Sequence, residues 1–284
     1  MFDTIEKIGH SIVQHGKNSN RIYVMSLDLS DLSEITKKLD ELAKEYGYGK
    51  IIAKIPFTCK DIFERDGYKS EAVIENFFNG ENDASFMCKY PDFNRITDPL
   101  MNKCTEILNI ALNKVPLSNI ENLSEEFTLR EATKKDVSDM TKLYKTVFKS
   151  YPFPIHDETY VLKTMEENLI YFGIWHGKEL VALSSIELAR KYSNAEMTDF
   201  AVHPDYRGYG FALNLLKTME IKSYHMGVKT AYTIARSMSA GMNITFSKNG
   251  YKFGGTLINN TDISGQIESM NVWYKKLIKD ENIT

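Results

Sequence analysis

Cysteine is scarce and unpatterned in this chain. Its three residues, Cys59, Cys88 and Cys104, are odd in number and lack the close spacing of metal ligands. Reduced, packed thiols are therefore expected rather than a disulfide frame, a zinc site or a thiol nucleophile. The six histidines form no ligand pattern either, so no metal is expected. An excess of one charge is also missing: 35 basic and 38 acidic side chains leave a formal net charge of −3. That balance gives no general attraction to nucleic acid or to an anionic membrane. No stretch approaches the roughly 20 apolar residues that cross a bilayer, and the opening MFDTIEKIGHSIV has early acids and no small-residue cleavage site. These absences predict a cytoplasmic protein whose partners are small molecules and whose phosphate site, if it has one, is local.

What is present is an ordinary globular composition, 43% hydrophobic and 26% charged over 284 residues, enough for one large core or two moderate ones. Two units are expected, 1–120 and 126–284, separated by the polar connection at 116–125. In the first, residues 1–20 show little beyond turn signals, whereas 21–27 and 50–55 read as strands around a helix over 30–46. A short helix at 59–66 stops at Gly67, and strand-like runs follow at 69–78 and 84–89. A helix over 98–114 precedes the connection. The second unit reads as strand, two helices, three strands, helix, strand, helix and two strands.

Residues 196–212, EMTDFAVHPDYRGYGFA, are the most informative stretch. An apolar strand enters a turn at Pro204 and is followed by Arg207, Gly208, Tyr209, Gly210, Phe211 and Ala212 at the start of a helical pattern. Glycines at a helix mouth let backbone N–H groups approach an anion, and the helix dipole adds partial positive charge there. A third glycine is missing, which excludes the dinucleotide-binding fingerprint, and no Gly-Lys-Ser/Thr follows, which excludes a P-loop.

The Arg-x-x-Gly-x-Ala spacing resembles the pyrophosphate-binding signature of the GNAT acetyltransferases, and the element order over about 126–276 is theirs as well. The resemblance implies an α/β (α+β) fold, a mixed, mostly antiparallel twisted sheet flanked by helices. It also implies acetyl-CoA as co-substrate, held by residues 207–212, with the backbone of Ala201 and Val202 aligning its pantetheine arm and Asn243 contacting it. Glu196 falls where several members keep a catalytic glutamate, and Asp199 where others keep a substrate-facing acid. A carboxylate is the expected device for taking the proton of an alkyl ammonium, whose pKa is near 10. The two acids are three positions apart, so a regular strand puts them on opposite faces unless a bulge re-aims one. Many members place a tyrosine four residues before the last helix's terminal glycine, to protonate the departing thiolate. Phe246 stands there, which leaves Tyr151, Tyr209, Tyr251 or no side chain as the acid.

Aligning Gly67-Tyr68 with Gly250-Tyr251 brings Phe63 over Phe246 and Met87 over Met270. Residues 21–90 then look like a degenerate copy of the later half of the same fold. The copy has no counterpart of the glycine loop, since its first turn is the acidic Asp28-Leu29-Ser30-Asp31. It is expected to bind no CoA and to serve as a structural or dimerising half, so a homodimer is one expected arrangement.

For the acceptor, the aromatic segment carrying Tyr151 and Phe153, stiffened by two prolines, suits a pocket wall, and Glu187 and Glu268 are further candidate acids. Such a pocket suggests a small cationic amine. GYKSEAVIENFFNG (67–80), the YPFPI loop, the EMTDFA strand and GGTLINNTDISGQIESMNVWYK (254–275) are similar to the β-lysine N-acetyltransferases. That resemblance implies acetylation of the N6 amine of (3S)-β-lysine to a compatible solute, downstream of a lysine 2,3-aminomutase. The competing expectations are another amine, such as a polyamine, an antibiotic or a protein lysine, and a non-enzymatic acetyl-CoA sensor.

Overall fold

A computed structural model describes residues 3–118 and 121–278. Residues 1–20, which read as turns, instead contain a hairpin of β1 (Thr4–Ile8) and β2 (Ser11–Gly16). The strand signal is weak there because β1 is exposed along most of its length, so no apolar alternation marks it. Next come β3 (Arg21–Ser26), α1 (Ile35–Tyr46), β4 (Lys50–Pro56), α2 (Lys60–Arg65) and the hairpin of β5 (Lys69–Phe78) and β6 (Asn82–Lys89). Helix α1 starts five residues later than its pattern suggests, after a short 3-10 turn, and ends at Gly47, whose φ of 71° is the left-handed conformation glycine adopts at low cost. Helix α3 (Met101–Leu112) leads into the connection.

The second unit opens with β7 (Phe127–Glu131), α4 (Val137–Val147), α5 (Glu158–Glu167), β8 (Leu169–His176), β9 (Glu179–Ala189) and β10 (Asn194–Val202). It continues with α6 (Phe211–His225), β11 (Thr230–Arg236), α7 (Ala240–Lys248), β12 (Lys252–Ile263) and β13 (Gln266–Lys276). Strand β12 runs as far as Ile263, through two register shifts.

All thirteen strands form one sheet in the order β1-β2-β3-β4-β6-β5-β12-β13-β11-β10-β9-β8-β7. Only β3–β4 and β10–β11 are parallel among the described pairs. The same motif occurs twice: a parallel pair joined through a helix, then a helix and an antiparallel hairpin whose second strand inserts beside the first pair. In one half the order is β3-β4-β6-β5, in the other β10-β11-β13-β12, and the halves meet at β5 and β12, where Gly255 pairs with Ala72. A Cβ on Gly255 would lie 2.1 Å from the carbonyl oxygen of Glu71, so this junction requires glycine.

Helices cover the sheet unevenly. In the first half α1 and α2 pack on the face bearing Ile51, Ala53 and Ile55, while Ile52 and Tyr23 point the other way. In the second half α6 and α7 cover one face through Leu215, Met219 and Phe246, and α4 and α5 cover the other through Met140, Tyr144 and Val161. Cross-links fold the first half's uncovered face toward β9 and β10: Asn194 Nδ2 donates to the Phe77 carbonyl at 3.1 Å, and Asn79 N donates to the Tyr192 carbonyl at 2.7 Å. The three cysteines are free and buried.

Candidate active site

Strand β10 is parallel to β11 only over Asn194–Glu196, opposite Thr230–Tyr232. Beyond Glu196 the strands part, while β10 stays paired with β9 as far as Val202. The split leaves the β11-facing backbone of the strand's second half outside that ladder. Ala201 is fully buried there and Val202 half-buried.

The register with β9 shifts between Thr198 and Ala201, and Asp199 has φ 56°. A left-handed residue inside a strand breaks the alternation of side chains, so this bulge brings Glu196 and Asp199 to one cavity instead of opposite faces. Both oxygens of Asp199 are engaged: the Tyr151 hydroxyl donates to Oδ1 and the Ser185 hydroxyl to Oδ2, each at 2.6 Å. Burial nonetheless pushes its pKa up against those hydrogen bonds.

The cavity measures about 600 Å³ and is lined by Glu187, Glu196, Asp199, Tyr151 and Phe153 from the second half. Lys54, from the first half, lines it too. Glu196 lies directly opposite Glu187 in the β9–β10 register. Two carboxylates at that spacing resist ionising together. Burial first, and then Glu187, raise the Glu196 pKa to about 7, against the charge of Lys54 and a hydrogen bond from Tyr232. Glu187 is raised for the same reason, burial, again opposed by Lys54. Burial alone would lower Lys54, but Tyr23, Glu196 and Glu187 together hold it above its ordinary value. Its Nζ donates to the Tyr232 hydroxyl at 3.1 Å. The site thus holds a charged lysine and an acid poised near neutrality.

Beyond β10, a 3-10 turn over Pro204–Tyr206 and the extended Arg207 lead to Gly208 and Gly210, with φ of 94° and 77°. Gly210 caps α6 without a side-chain hydrogen bond, and no acid occupies that helix's first turn. A Cβ on either glycine would meet nothing within 4 Å, so the positive φ and the open space above the loop, not crowding, explain glycine here. Exposed Arg207 and Tyr209 flank the loop, with buried Phe211 and half-buried Ala212 opening the helix. These groups suit a pyrophosphate: the leading N–H groups of the helix, a helix dipole and a guanidinium, with no side chain in the way.

Three other candidates lie elsewhere. Asn243 is fully buried, and its amide donates to the carbonyls of Arg236 and Ser239 while its oxygen accepts from Asn271 Nδ2 and Trp273 Nε1. Every donor and lone pair is used in fastening α7 to β11 and β13, so the side chain has nothing left for CoA. Glu268 makes a two-point ion pair with Arg236, at 2.9 and 2.6 Å, and is not among the cavity-lining residues. Phe246 is fully buried, edge-on to Phe200 and Tyr251, and offers no proton. Of the tyrosines considered in its stead, Tyr151 lines the cavity, Tyr251 is packed against Phe246, and Tyr209 is exposed at the glycine loop.

Sequence reasoning missed Lys54, Tyr23, Tyr232 and Ser185. A signal for Lys54 existed: in KIIAKI it shares a strand face with Ile52, and a lysine amid inward apolar residues implies a buried partner. Nothing local announced that β4 would face β9 and β10.

Residues 138–241 match the acetyltransferase (GNAT) family model. The chain is 40% identical to a β-lysine N6-acetyltransferase of Methanococcus maripaludis over 96% of its own length and 98% of that protein's. It is 33% identical to a β-lysine N6-acetyltransferase of Methanosarcina mazei over 86% and 97% of the two chains. With the N-acetyltransferase YodP of Bacillus subtilis it shares 30% identity over 94% and 96%. Likeness of that extent spans both halves of the sheet, the split β10–β11 pair and the glycine loop alike. By that full-length kinship the chain belongs to the GNAT family and is an acetyl-CoA-dependent N-acetyltransferase.

Proposed function

We propose that the protein transfers the acetyl group of acetyl-CoA to the N6 amine of β-lysine, giving N6-acetyl-β-lysine, with Glu196 as the base. The observation that carries this reading is the cavity beside the split strands, where three acids and a charged lysine face one another. A diamino acid has two ammonium groups and one carboxylate, and a site of mixed charge matches it better than the purely cationic polyamines. Its similarity to the β-lysine N6-acetyltransferases of Methanococcus maripaludis and Methanosarcina mazei supports the same acceptor. An aminomutase that forms β-lysine from lysine would then supply the substrate.

Bound acetyl-CoA supplies a thioester carbonyl whose carbon the neutral amine attacks. The new C–N bond replaces the C–S bond, and CoA leaves as a thiolate that takes up a proton from solvent or from the nitrogen that has just been acylated. Residues 207–212 would hold its pyrophosphate, and the β11-facing backbone around Ala201 and Val202 its arm. Glu196, with a pKa of about 7, accepts the proton of the incoming ammonium. Asp199 orients the Tyr151 hydroxyl and the pocket wall that carries it. Tyr151 and Phe153 screen the reacting nitrogen from water. We further propose that residues 1–120 form a degenerate GNAT-like unit without a cofactor loop. Its counterpart turn over Leu29–Asp31 is acidic, and Asp31 is occupied in accepting from the backbone N–H groups of His10 and Ser11.

The test is a panel of amines with acetyl-CoA. We expect kcat/KM for β-lysine to exceed that for spermidine by at least about tenfold, the scale of one lost charge contact. A higher value for spermidine rejects the acceptor, and tight CoA binding without turnover of any amine rejects the enzyme.

A further inference from the structure

Arg21, on β3, is only 5% exposed, lies in the first half of the chain and lines the same cavity as Glu196. Its guanidinium is held entirely by neutral partners. Nη1 donates to the Asn260 carbonyl at 2.9 Å and to the Thr261 hydroxyl, and Nη2 reaches Gln14 Oε1 at 3.5 Å. Nε, also buried, has no hydrogen-bond partner. Among the described residues no carboxylate forms an ion pair with it; Asp3 acts on it only from beyond salt-bridge distance.

The other buried cations around the cavity are already matched. Lys54, which like Arg21 makes no ion pair among the described residues, is held charged by Tyr23, Glu196 and Glu187, and the half-buried Arg236 is clamped by Glu268. Burying a charge without an opposite partner is costly, and a folded chain normally supplies that partner. Arg21 has only the buried carboxylate of Asp3, beyond ion-pair distance, as a counter-charge, and it lines the space where an acceptor must lie. We propose that Arg21 receives the carboxylate of the acceptor, so that the first half of the chain reads the amino-acid end of the substrate while Glu196 works on its amine. This rests on the β-lysine reading. It gives the half without a cofactor loop a part in substrate selection: a planar guanidinium recognises a carboxylate through charge and direction together. Tyr23 lines the same cavity and feels the charges of Lys54, Glu196 and Arg21.

The test compares β-lysine with β-lysinamide, the same diamine with a neutral carboxamide, in wild type, Arg21→Met and Arg21→Lys. Wild type is expected to favour β-lysine by about 100-fold in kcat/KM, chiefly through KM, as for loss of a charged hydrogen-bonded pair. Arg21→Met is expected to bring the ratio within about threefold of unity by losing activity on β-lysine alone, with Arg21→Lys between. Equal losses on both amines in Arg21→Met would assign it a structural role and overturn the proposal. A wild-type ratio below threefold overturns it whether or not the variants fold. If wild type discriminates but Arg21→Met keeps the full ratio, this inference fails and the β-lysine reading stands. If wild type turns over neither compound, both fail.

Discussion

Glu196→Gln is expected to lower kcat for β-lysine by about 10²–10⁴-fold while leaving acetyl-CoA binding within about twofold, as for loss of a general base. Glutamine keeps the size of the side chain and a hydrogen bond with Tyr232 but cannot take a proton. The N6 ammonium, with a pKa near 10.4, leaves only about one molecule in 10³–10⁴ neutral at pH 7, so unassisted attack is slow. Of the three cavity acids Glu196 is the one suited to this work. Asp199 spends both oxygens on Ser185 and Tyr151. Glu187, directly opposite, acts by resisting a second negative charge and so keeping Glu196 basic. Steady-state kinetics with calorimetric titration of acetyl-CoA would check both halves of the expectation. Full turnover in this variant would remove Glu196 from the chemistry.

The second large effect lies at the glycine loop. Gly210→Val is expected to raise the KM for acetyl-CoA by about 10–100-fold, since a non-glycine residue forced to positive φ costs about 1–3 kcal/mol and valine is among the worst fitted. Gly210 has φ 77° at the cap of α6. A Cβ there meets no protein atom within 4 Å, so the protein itself need not repack. The penalty falls instead on the loop conformation and on the approach of an anion to the helix's first N–H groups. Kinetics at varied acetyl-CoA, alongside thermal unfolding, would separate lost binding from lost fold. An unchanged KM in a folded variant would place the pyrophosphate elsewhere.

Much of the catalytic half was legible because its signals are local. The glycine loop sits between an apolar strand and a helical pattern, and the order of strands and helices expected for the second unit is the one observed. Asp199 was legible only as a condition: two acids three apart share a face if the strand bulges, and the bulge depends on pairing with β9 that no single strand encodes. The β1–β2 hairpin escaped notice because an exposed edge strand needs no apolar alternation. The protein partners of Asn243 and Glu268 were hidden for a related reason. A buried asparagine or glutamate reads alike whether it meets a ligand or a neighbour, and their neighbours, Trp273 and Arg236, come from other strands. Lys54 and Arg21 were the least visible, because they reach the cavity only when the first half of the sheet folds over toward β9 and β10. Side chains that act at long sequence separation leave a local trace only as anomalies, such as a charge on an apolar strand face.

The pH dependence of kcat/KM for β-lysine, in wild type and in Glu196→Gln, tests the central claim most directly. Glu196 works as a carboxylate, so the rate falls as pH drops through its raised pKa of about 7 and levels off above it. On this account wild type shows that acid limb, losing about tenfold per pH unit below the inflection, and Glu196→Gln is slow and lacks it. An inflection near 7 that persists in Glu196→Gln at undiminished rate would contradict the account.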